Sequence, residues 1–300
     1  MVCRKPYHGD SLRSDHSNTQ KNSVTHPWTK PILRWAGSKR RLIPTLMAAM
    51  PLEFNRYIEP FAGSACLFFA THPTSALLGD VNSSLIECYK ILRSHPRKLS
   101  RAVRTMKFEK SEYYRIRAIK PSTLNAFERA SRFVYLNRLC FNGVYRTNRT
   151  GEFNVPFGSH QGEAPSEHDF FRCSYALRSA ELFTGDFEDC ISNSRKGDFV
   201  YLDPPYSSTD RPRYGEYGYE SFQPLEISRL RTALQLLDDR NVRFLLSYSD
   251  TVPHRNAFID WKTHSISVRR HVAGFTVHRN IVPELLISNF DWDFNVGAVL

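Results

Sequence analysis

Four residues about two-thirds of the way along the chain, Asp203-Pro204-Pro205-Tyr206, have the types and order that can act on a planar amine. They follow an apolar run that is typical of a buried strand, and ligands of open α/β sheets bind beyond the carboxyl ends of strands. Two successive prolines fix the backbone, so the Asp203 carboxylate and the Pro204 carbonyl can be presented in one geometry, with Tyr206 as a flat surface for a base. An aromatic amine needs such acceptors for its N–H bonds before its nitrogen can attack an electrophile. The alternative is an ordinary turn that contains two prolines.

A loop of small residues, Glu59-Pro60-Phe61-Ala62-Gly63-Ser64-Ala65, follows the short apolar strand Arg56–Ile58. Small residues after a first strand let the backbone approach a ligand closely. The loop lacks the three glycines that bind a pyrophosphate, which favours a cofactor without one. Phe61 and Gly63 are the cofactor contacts that we predict here.

Asp80 ends the next apolar strand, Ala76–Val81. An acidic residue at this place can hold the hydroxyls of a ribose. The alternative is a turn aspartate that caps the following helix. We predict a cofactor contact at Asp80.

Near the start of the chain, Trp35 and Lys39 flank a tight turn before a helix. The Lys39 ammonium could pair with a nearby carboxylate of a ligand, and Trp35 could form a wall of the site. A tryptophan at a helix start is more often a packing residue, so the residues alone only suggest this role.

A glycine-punctuated segment, Phe141–Gly158, interleaves arginines, asparagines and aromatic residues. Arginine pairs with guanine edges or phosphates, asparagine pairs with adenine, and an aromatic ring can fill the space that an extruded base leaves. This composition favours a DNA-contacting hairpin over a purely structural one. The predicted DNA-binding residues are Asn142, Val144, Tyr145, Arg146, Asn148 and Arg149.

The elements that must position these residues alternate between strands and helices, which predicts a doubly wound, mostly parallel α/β sheet. The predicted strands are Arg56–Phe61, Ala76–Val81, Glu181–Phe187, Phe199–Asp203, Arg243–Tyr248 and Leu285–Phe290. The predicted helices are Lys39–Met50, where Pro44 is irregular, Ser84–Arg93 and Leu225–Asp239.

The sequence pattern changes between positions 95 and 171, where basic segments with helical periodicity replace the alternating strands and helices. We predict that 95–171 is an inserted, mostly helical domain that recognises the target. The catalytic domain would then comprise 30–94 and 172–300, and 1–29 would be a flexible polar tail.

Charge and composition narrow the class of protein. The net charge is +11 and the pI about 9.4, which favours a polyanionic partner. The six cysteines include no C-x-x-C pair, so we expect buried free thiols and no metal. No apolar run is long enough to span a membrane and the N-terminus lacks a secretory signal, so a cytoplasmic protein is expected.

Taken together, the motifs resemble those of the DNA adenine methyltransferase (Dam) family of N6-adenine methyltransferases. The matching segments, in the order of the family, are Trp35–Lys39 (W-A-G-[GS]-K), Glu59–Gly63 (E-P-F-x-G), Asp80–Asn82 (D-[IV]-N), Tyr135–Arg138, Gly151–Gly158, Asp203–Tyr206 (D-P-P-Y), Ser247–Asp250 and Pro283–Ile287. The resemblance runs from about residue 32 to residue 290. It implies a Rossmann-like methyltransferase fold with an inserted target-recognition domain.

The resemblance also implies roles for particular residues. Cofactor contacts fall on Trp35, Lys39, Asp80 and Asp203, with S-adenosylmethionine as the methyl donor and no metal. The target adenine would lie between Asp203, the Pro204 carbonyl and Tyr206. Asn142, Val144 and Arg146 occupy positions that look like DNA-contacting ones of the family.

Two positions depart from the family pattern. Ser38 replaces the commoner glycine, and Ser159 stands where relatives that methylate GATC tend to carry a basic residue that reads guanine. Ser159 therefore argues against strict GATC specificity, and the expected site is GATC or a related short sequence.

The expected function is methylation of N6 of a flipped-out adenine in double-stranded DNA. We expect a monomer that acts alone or beside a cognate restriction endonuclease and that does not bind a membrane. The alternatives are transfer to N4 of cytosine, transfer to adenine in RNA, and a catalytically silent DNA-binding protein. An oxidoreductase is disfavoured by the missing glycine pattern.

Overall fold

A seven-stranded sheet organises the part of the chain that the computed structural model describes, namely residues 28–148, 151–158, 164–205, 224–269 and 281–292. The strands are β1 (Tyr57–Glu59), β2 (Ala76–Asp80), β3 (Ala180–Thr184), β4 (Phe199–Leu202), β5 (Arg243–Ser249), β6 (Lys262–Arg269) and β7 (Ile281–Ser288). Their order in the sheet is β3-β2-β1-β4-β5-β7-β6. Strands β1 to β5 run parallel and β6 and β7 pair antiparallel, so the predicted mostly parallel α/β sheet is confirmed.

Helices connect the strands. They are α1 (Ile43–Ala49), α2 (Cys66–Thr71), α3 (Ser83–Ser94), α4 (Pro96–Thr105), α5 (Lys110–Ala118), α6 (Ala126–Leu139), α7 (Glu167–Leu177), α8 (Phe187–Ile191), α9 (Pro224–Asp239) and α10 (Val252–Ala257). A 3-10 turn at Arg40–Leu42 precedes α1, and Pro44 lies in the first turn of that helix, where a missing N–H is tolerated. Pro44, which is irregular inside the predicted helix Lys39–Met50, is therefore explained by the start of α1 at Ile43.

The strand order reverses between β1 and β4. The chain continues from β1 to β2 and β3 on one side, and from β4 to β5 on the other. Such a reversal opens a crevice at the carboxyl ends of the two central strands, where ligands of this sheet type bind. The loop after β1 and the Asp-Pro-Pro turn after β4 both lie there.

Each face of the sheet is covered by an apolar layer. Alternate strand residues point to opposite faces, so Tyr57, Phe199 and Leu245 face α1, α2 and α3, whereas Ile58, Val200 and Leu246 face α8 and α9. These residues are at most 1% exposed. Two buried layers explain the continuous apolar runs of the central strands.

The sequence missed one strand and misplaced the end of another. Strand β6 lies at the edge of the sheet and carries mostly polar, exposed side chains, so it has no apolar run to detect. Phe187, predicted to end a strand, begins α8 instead, because the Asp186 side chain caps that helix by accepting from the Glu188 N–H.

Helices α4 to α7 occupy the region of the predicted insertion. Leu99 of α4, Val134 of α6 and Phe170 of α7 join the same apolar layer as the sheet. A second, smaller core forms between α5, α6 and the segment that follows, and includes Tyr113, Tyr135, Leu136, Phe153 and Val155. The division of the chain at 95 and 171 into separate domains stays a prediction, and the proposed tail falls almost entirely on residues 1–27, outside the described residues.

The cysteines of the described ranges are buried and free, as predicted: Cys66, Cys88, Cys140, Cys173 and Cys190. Cys3 lies outside the described residues. None of the helices in the described ranges has both the length and the apolar character that a membrane crossing requires.

Candidate active site

The Lys39 side chain joins the first motif to the Asp-Pro-Pro turn. Gly37 adopts a φ of 75°, which lets the chain turn tightly, and the Ser38 N–H donates to the Trp35 carbonyl over 3.2 Å. The turn directs Lys39 inward, where its side chain is 4% exposed. Its Nζ lies 2.8 Å from Oδ1 of Asp203. This partner is a carboxylate of the protein itself, and the predicted pairing of Lys39 with the carboxylate of a ligand stays a prediction.

Asp203 is the first residue beyond β4, whose four residues are all buried. Its side chain is 19% exposed, and Pro204 and Pro205 follow it at the carboxyl edge of the sheet. A carboxylate held on one side by an ammonium and open in part to solvent can accept hydrogen bonds from a ligand. Tyr206 lies outside the described residues.

Gly63 and Asp80 meet beside this turn. The Gly63 N–H donates to Oδ2 of Asp80 over 3.0 Å, and the Asn82 N–H donates to Oδ1 over 2.9 Å. Each carboxylate oxygen has two acceptor sites, so the group can still accept from hydroxyls. Burial raises the pKa of Asp80 to about 6, although the two N–H donors lower it. The helix cap of α3 is Asn82, whose side chain accepts from the Leu85 N–H, so Asp80 is not the capping residue.

The backbone around Gly63 is fitted to Trp35. Gly63 has a φ of +46°, and a Cβ at this position would lie 2.6 Å from the Trp35 ring. The Tyr89 hydroxyl donates to the Gly63 carbonyl over 2.6 Å, and the hydroxyls of Ser38 and Ser64 lie 3.0 Å apart. The first two motifs are therefore in direct contact, as their proposed common site requires.

Apolar side chains lie near Asp80 in the fold. The rings of Phe61 and Phe187 stack with centroids 5.2 Å apart, and Val81 is 68% exposed although it is apolar. Phe187 was not among the predicted site residues, because it was interpreted as part of β3. The Gly185-Asp186 turn after that strand is the signal that could have placed it at this edge of the sheet.

A buried polar cluster lies behind the Lys39 ammonium. Glu284 on β7 is 2% exposed, with Oε2 3.7 Å from Lys39 Nζ, and the Ser247 hydroxyl donates to the same oxygen over 3.4 Å. The Tyr57 hydroxyl donates to Glu59 over 2.9 Å. Burial raises the pKa of Glu59 well above its ordinary value, and Asp203 raises it further.

Sequence interpretation did not place Glu284 and Ser247 beside Lys39. The signal was a glutamate inside the apolar run Pro283–Ile287. A buried carboxylate in a strand needs a partner, which indicates a polar site. No group of three or more metal-ligating side chains that could hold an ion occurs among the described residues.

The predicted DNA-binding segment forms a short hairpin, with bridges at Cys140↔Phe157 and Thr147↔Phe153. Asn142 is exposed at a φ of 54°, and Arg146 Nε donates to Oδ1 of Asn154 over 2.9 Å. Asn148 closes the hairpin turn by accepting from the Glu152 N–H through Oδ1 over 2.9 Å. Arg149 lies outside the described residues.

Tyr145 and Val144 occupy the base of this hairpin, and both are partly buried. The Tyr145 ring stacks on Trp35, with centroids 5.8 Å apart and planes 11° apart, and packs against Phe133 and Phe153. Its packing links the hairpin to the first motif. A DNA contact at Tyr145 stays a prediction.

A basic pocket adjoins the hairpin. It is lined by Arg117, Lys120, Arg132, Asn148 and Asn154, among others. Two arginines are fixed by backbone carbonyls: Arg117 donates to Val155 over 3.1 Å and Arg132 to Arg117 over 2.8 Å. The cations of this pocket come from α5, from α6 and, for Lys120, from the connection between them. They were not predicted, because nothing in their spacing sets them apart from other surface cations.

Comparison with known proteins agrees with this geometry. The sequence profile of the D12 class N6 adenine-specific DNA methyltransferase family matches residues 35–272. The type II methyltransferase M1.LlaDCHI of Lactococcus lactis subsp. cremoris is 30% identical over 281 residues, which cover 90% of this chain and 98% of that protein.

Two further relatives match at similar length. The type II methyltransferase M.MjaIII of Methanocaldococcus jannaschii is 30% identical over 87% of this chain and 99% of its own. The DNA adenine methylase of Escherichia coli (strain K12) is 29% identical over 86% of this chain and 94% of its own. The chain belongs to the D12 class of N6 adenine-specific DNA methyltransferases, a family that methylates adenine in double-stranded DNA and takes its methyl group from S-adenosylmethionine.

Proposed function

We propose that this chain methylates N6 of an adenine that has been rotated out of a short duplex site, and that the crevice between β1 and β4 is where this happens. The observation that carries the proposal is the 2.8 Å pair between Lys39 and Asp203. It joins the first motif to the Asp-Pro-Pro turn at the edge where the strand order reverses.

The residues of the crevice fit the cofactor. S-adenosylmethionine, when bound, supplies a methyl group that a sulfonium centre has already made electrophilic. Gly63 offers a backbone surface without a side chain, Asp80 offers acceptors for ribose hydroxyls, and the partly exposed Phe61, which is backed by the buried Phe187, and the exposed Val81 offer apolar surface for a purine. We infer that Trp35 and Lys39 line the same site.

Asp203 and the Pro204 carbonyl accept the two N6 hydrogens of the adenine. These bonds localise the lone pair on nitrogen and hold it towards the methyl group, so the protein contributes positioning and electrostatics. Pro205 stiffens the turn, and Tyr206 is assigned to stack on the extruded base. Because the methyl group arrives already activated, the reaction as proposed needs no metal and no covalent intermediate on the protein.

The hairpin and the basic pocket beside it are assigned to DNA. Asn142, Val144 and Arg146 would reach base edges, while Asn148, Arg149 and the pocket cations would meet phosphates. The net charge of +11 supports binding to a polyanion. We expect a monomer, acting alone or beside a restriction endonuclease, at GATC or a related site.

A methyl-transfer assay tests this function. Duplex DNA of mixed sequence is incubated with the protein and labelled S-adenosylmethionine, digested to nucleosides and separated by chromatography. Label in N6-methyldeoxyadenosine is the expected result. Label in N4-methyldeoxycytidine, label only in RNA supplied in a parallel reaction, or DNA binding without label would contradict it.

A further inference from the structure

Lys39 lies between two carboxylates, one from the turn after β4 and one from β7. Its Nζ lies 2.8 Å from Asp203 Oδ1, just beyond β4, and 3.7 Å from Glu284 Oε2 on β7. It also donates to the Gly37 carbonyl over 3.3 Å. A lysine carries a compact charge on a flexible stem, so a single partner would leave its position loosely defined. Three acceptors in different directions define it closely.

Glu284 is itself fixed. It is 2% exposed, Ser247 is fully buried, and the Ser247 hydroxyl donates to Glu284 Oε2 over 3.4 Å. In the antiparallel register Ser247 is opposite Leu286 and Ser249 is opposite Glu284, so the Ser247 and Glu284 side chains share one face of the sheet. This is the face that Lys39 covers.

Burial of the Glu284 carboxylate lowers the stability of the fold, so the residue is better explained by a role in the site. A buried carboxylate loses its hydration, and an apolar residue of similar volume in a central strand is often as stable or more stable. Stability alone therefore gives little reason for a glutamate here. The cluster places two carboxylates around one ammonium beside the Asp203 turn. The proposed reaction brings a sulfonium cation to this turn and develops positive charge on the adenine nitrogen there.

We propose that Glu284 is a positioning residue for methyl transfer: it anchors Lys39 and shares the charge of its ammonium, so that Asp203 keeps its acceptor strength for the adenine amine. Glu284 acts through Lys39 and does not touch the substrate. Without the Glu284 charge, the Lys39 ammonium shifts towards Asp203 and draws more strongly on the acceptor that the amine needs. The inference rests on the proposed function of the Asp203 turn.

The test compares Glu284→Gln with wild type in methylation of duplex DNA. Steady-state kinetics give kcat and KM for DNA, and single-turnover reactions with enzyme in excess keep slow variants measurable. We expect kcat to fall about tenfold to a hundredfold, less than the loss of a direct contact to the reacting group, while KM for DNA changes less than about threefold. Asp198→Asn is the matched control. Asp198 is 2% exposed and pairs with Arg56 over 2.8 Å at the opposite edge of the same sheet, so its loss should lower stability and leave kcat per folded enzyme unchanged.

A double-mutant cycle separates positioning from structure. In a Lys39→Met background, Glu284→Gln should cost less than about threefold, because the ammonium through which Glu284 acts is absent. Equal losses in both backgrounds would overturn the proposal, and so would a wild-type kcat for Glu284→Gln. If Glu284→Gln does not fold, Glu284→Asp carries the test: it keeps the charge but withdraws it from Lys39, and an unchanged kcat would again overturn the proposal. Wild-type activity in the same assay shows separately whether the proposed function holds.

Discussion

The side chain of Asn137 holds the backbone of Arg34 on both sides. The Arg34 N–H donates to Asn137 Oδ1 over 2.8 Å, and Asn137 Nδ2 donates to the Arg34 carbonyl over 2.7 Å. Asn137 is 1% exposed and lies on α6, in the segment that carries the Y-L-N-R motif. The helix thereby fixes the backbone of Arg34, which immediately precedes the Trp35–Lys39 motif.

Replacing Asn137 with Ala should remove both hydrogen bonds to the Arg34 backbone. It leaves two backbone groups without partners, which costs about 1–3 kcal/mol for each buried group. We expect a lower midpoint in urea unfolding together with a lower methylation rate per folded enzyme. Asn125→Ala, which removes the exposed cap of the same helix, is the control: it should cost about 1 kcal/mol and leave the rate intact. Equal rates for the two variants would show that the bond to Arg34 does not support the site.

Replacing Gly63 with Ala should weaken cofactor binding. The new Cβ would lie 2.6 Å from the Trp35 ring at a φ of +46°, so either the loop or the ring has to move. We expect the Kd for S-adenosylmethionine to rise at least about tenfold, equivalent to about 1.4 kcal/mol. Calorimetry measures the change.

Gly151→Ala is the matched control for this change. Gly151 has a φ of +78° as well, but a Cβ there would meet nothing within 4 Å. It carries the backbone strain without the contact and lies in the hairpin turn. Cofactor affinity unchanged in Gly63→Ala, or reduced equally in both variants, would contradict the fit of Gly63 to the cofactor.

Cofactor affinity should depend on pH through Asp80. Burial raises the pKa of this carboxyl to about 6, so it is ionised above pH 6 and becomes protonated below it. A carboxylate accepts ribose hydroxyls more strongly than a carboxylic acid does. We therefore expect binding to tighten as the pH rises from about 5 to 7. In Asp80→Asn the affinity should be weak and flat over this range; an equally steep profile in that variant would assign the titration to another group.

Lys120, an exposed residue of the basic pocket, should contribute to DNA binding through phosphates. Lys120→Ala should weaken binding to all duplex sequences alike and reduce the slope of log Kd against log salt by about one. The control is Lys262→Ala on the edge strand β6, whose ammonium pairs with Asp291. If both variants keep the wild-type slope, the pocket does not contact the DNA backbone.

The central part of the fold follows from the sequence because strands that are buried on both sides are apolar throughout. Phe199–Leu202 is such a run, and the position of Asp203 directly after it was enough to predict that this residue lies at the edge of the sheet. Strand β6 could not be found this way, since a polar edge strand differs little from a loop in composition.

Candidate site residues could be selected from the sequence where they belong to recognisable motifs, but not where they depend on a contact between strands that are distant in sequence. Trp35, Gly63, Asp80 and Asp203 belong to short segments with recognisable spacing. Glu284 approaches Lys39 only because β7 inserts antiparallel beside β5. Pairing between strands that are distant in sequence sets such contacts, and one sequence does not reveal that pairing.

The most direct test of the account is the single-turnover rate of Asp203→Ala on duplex DNA at saturating S-adenosylmethionine, with DNA binding measured in parallel. If Asp203 accepts the amine hydrogens, formation of N6-methyldeoxyadenosine should fall at least about a hundredfold while the variant still binds DNA. An Asp203→Ala protein that methylates adenine at the wild-type rate would contradict the account.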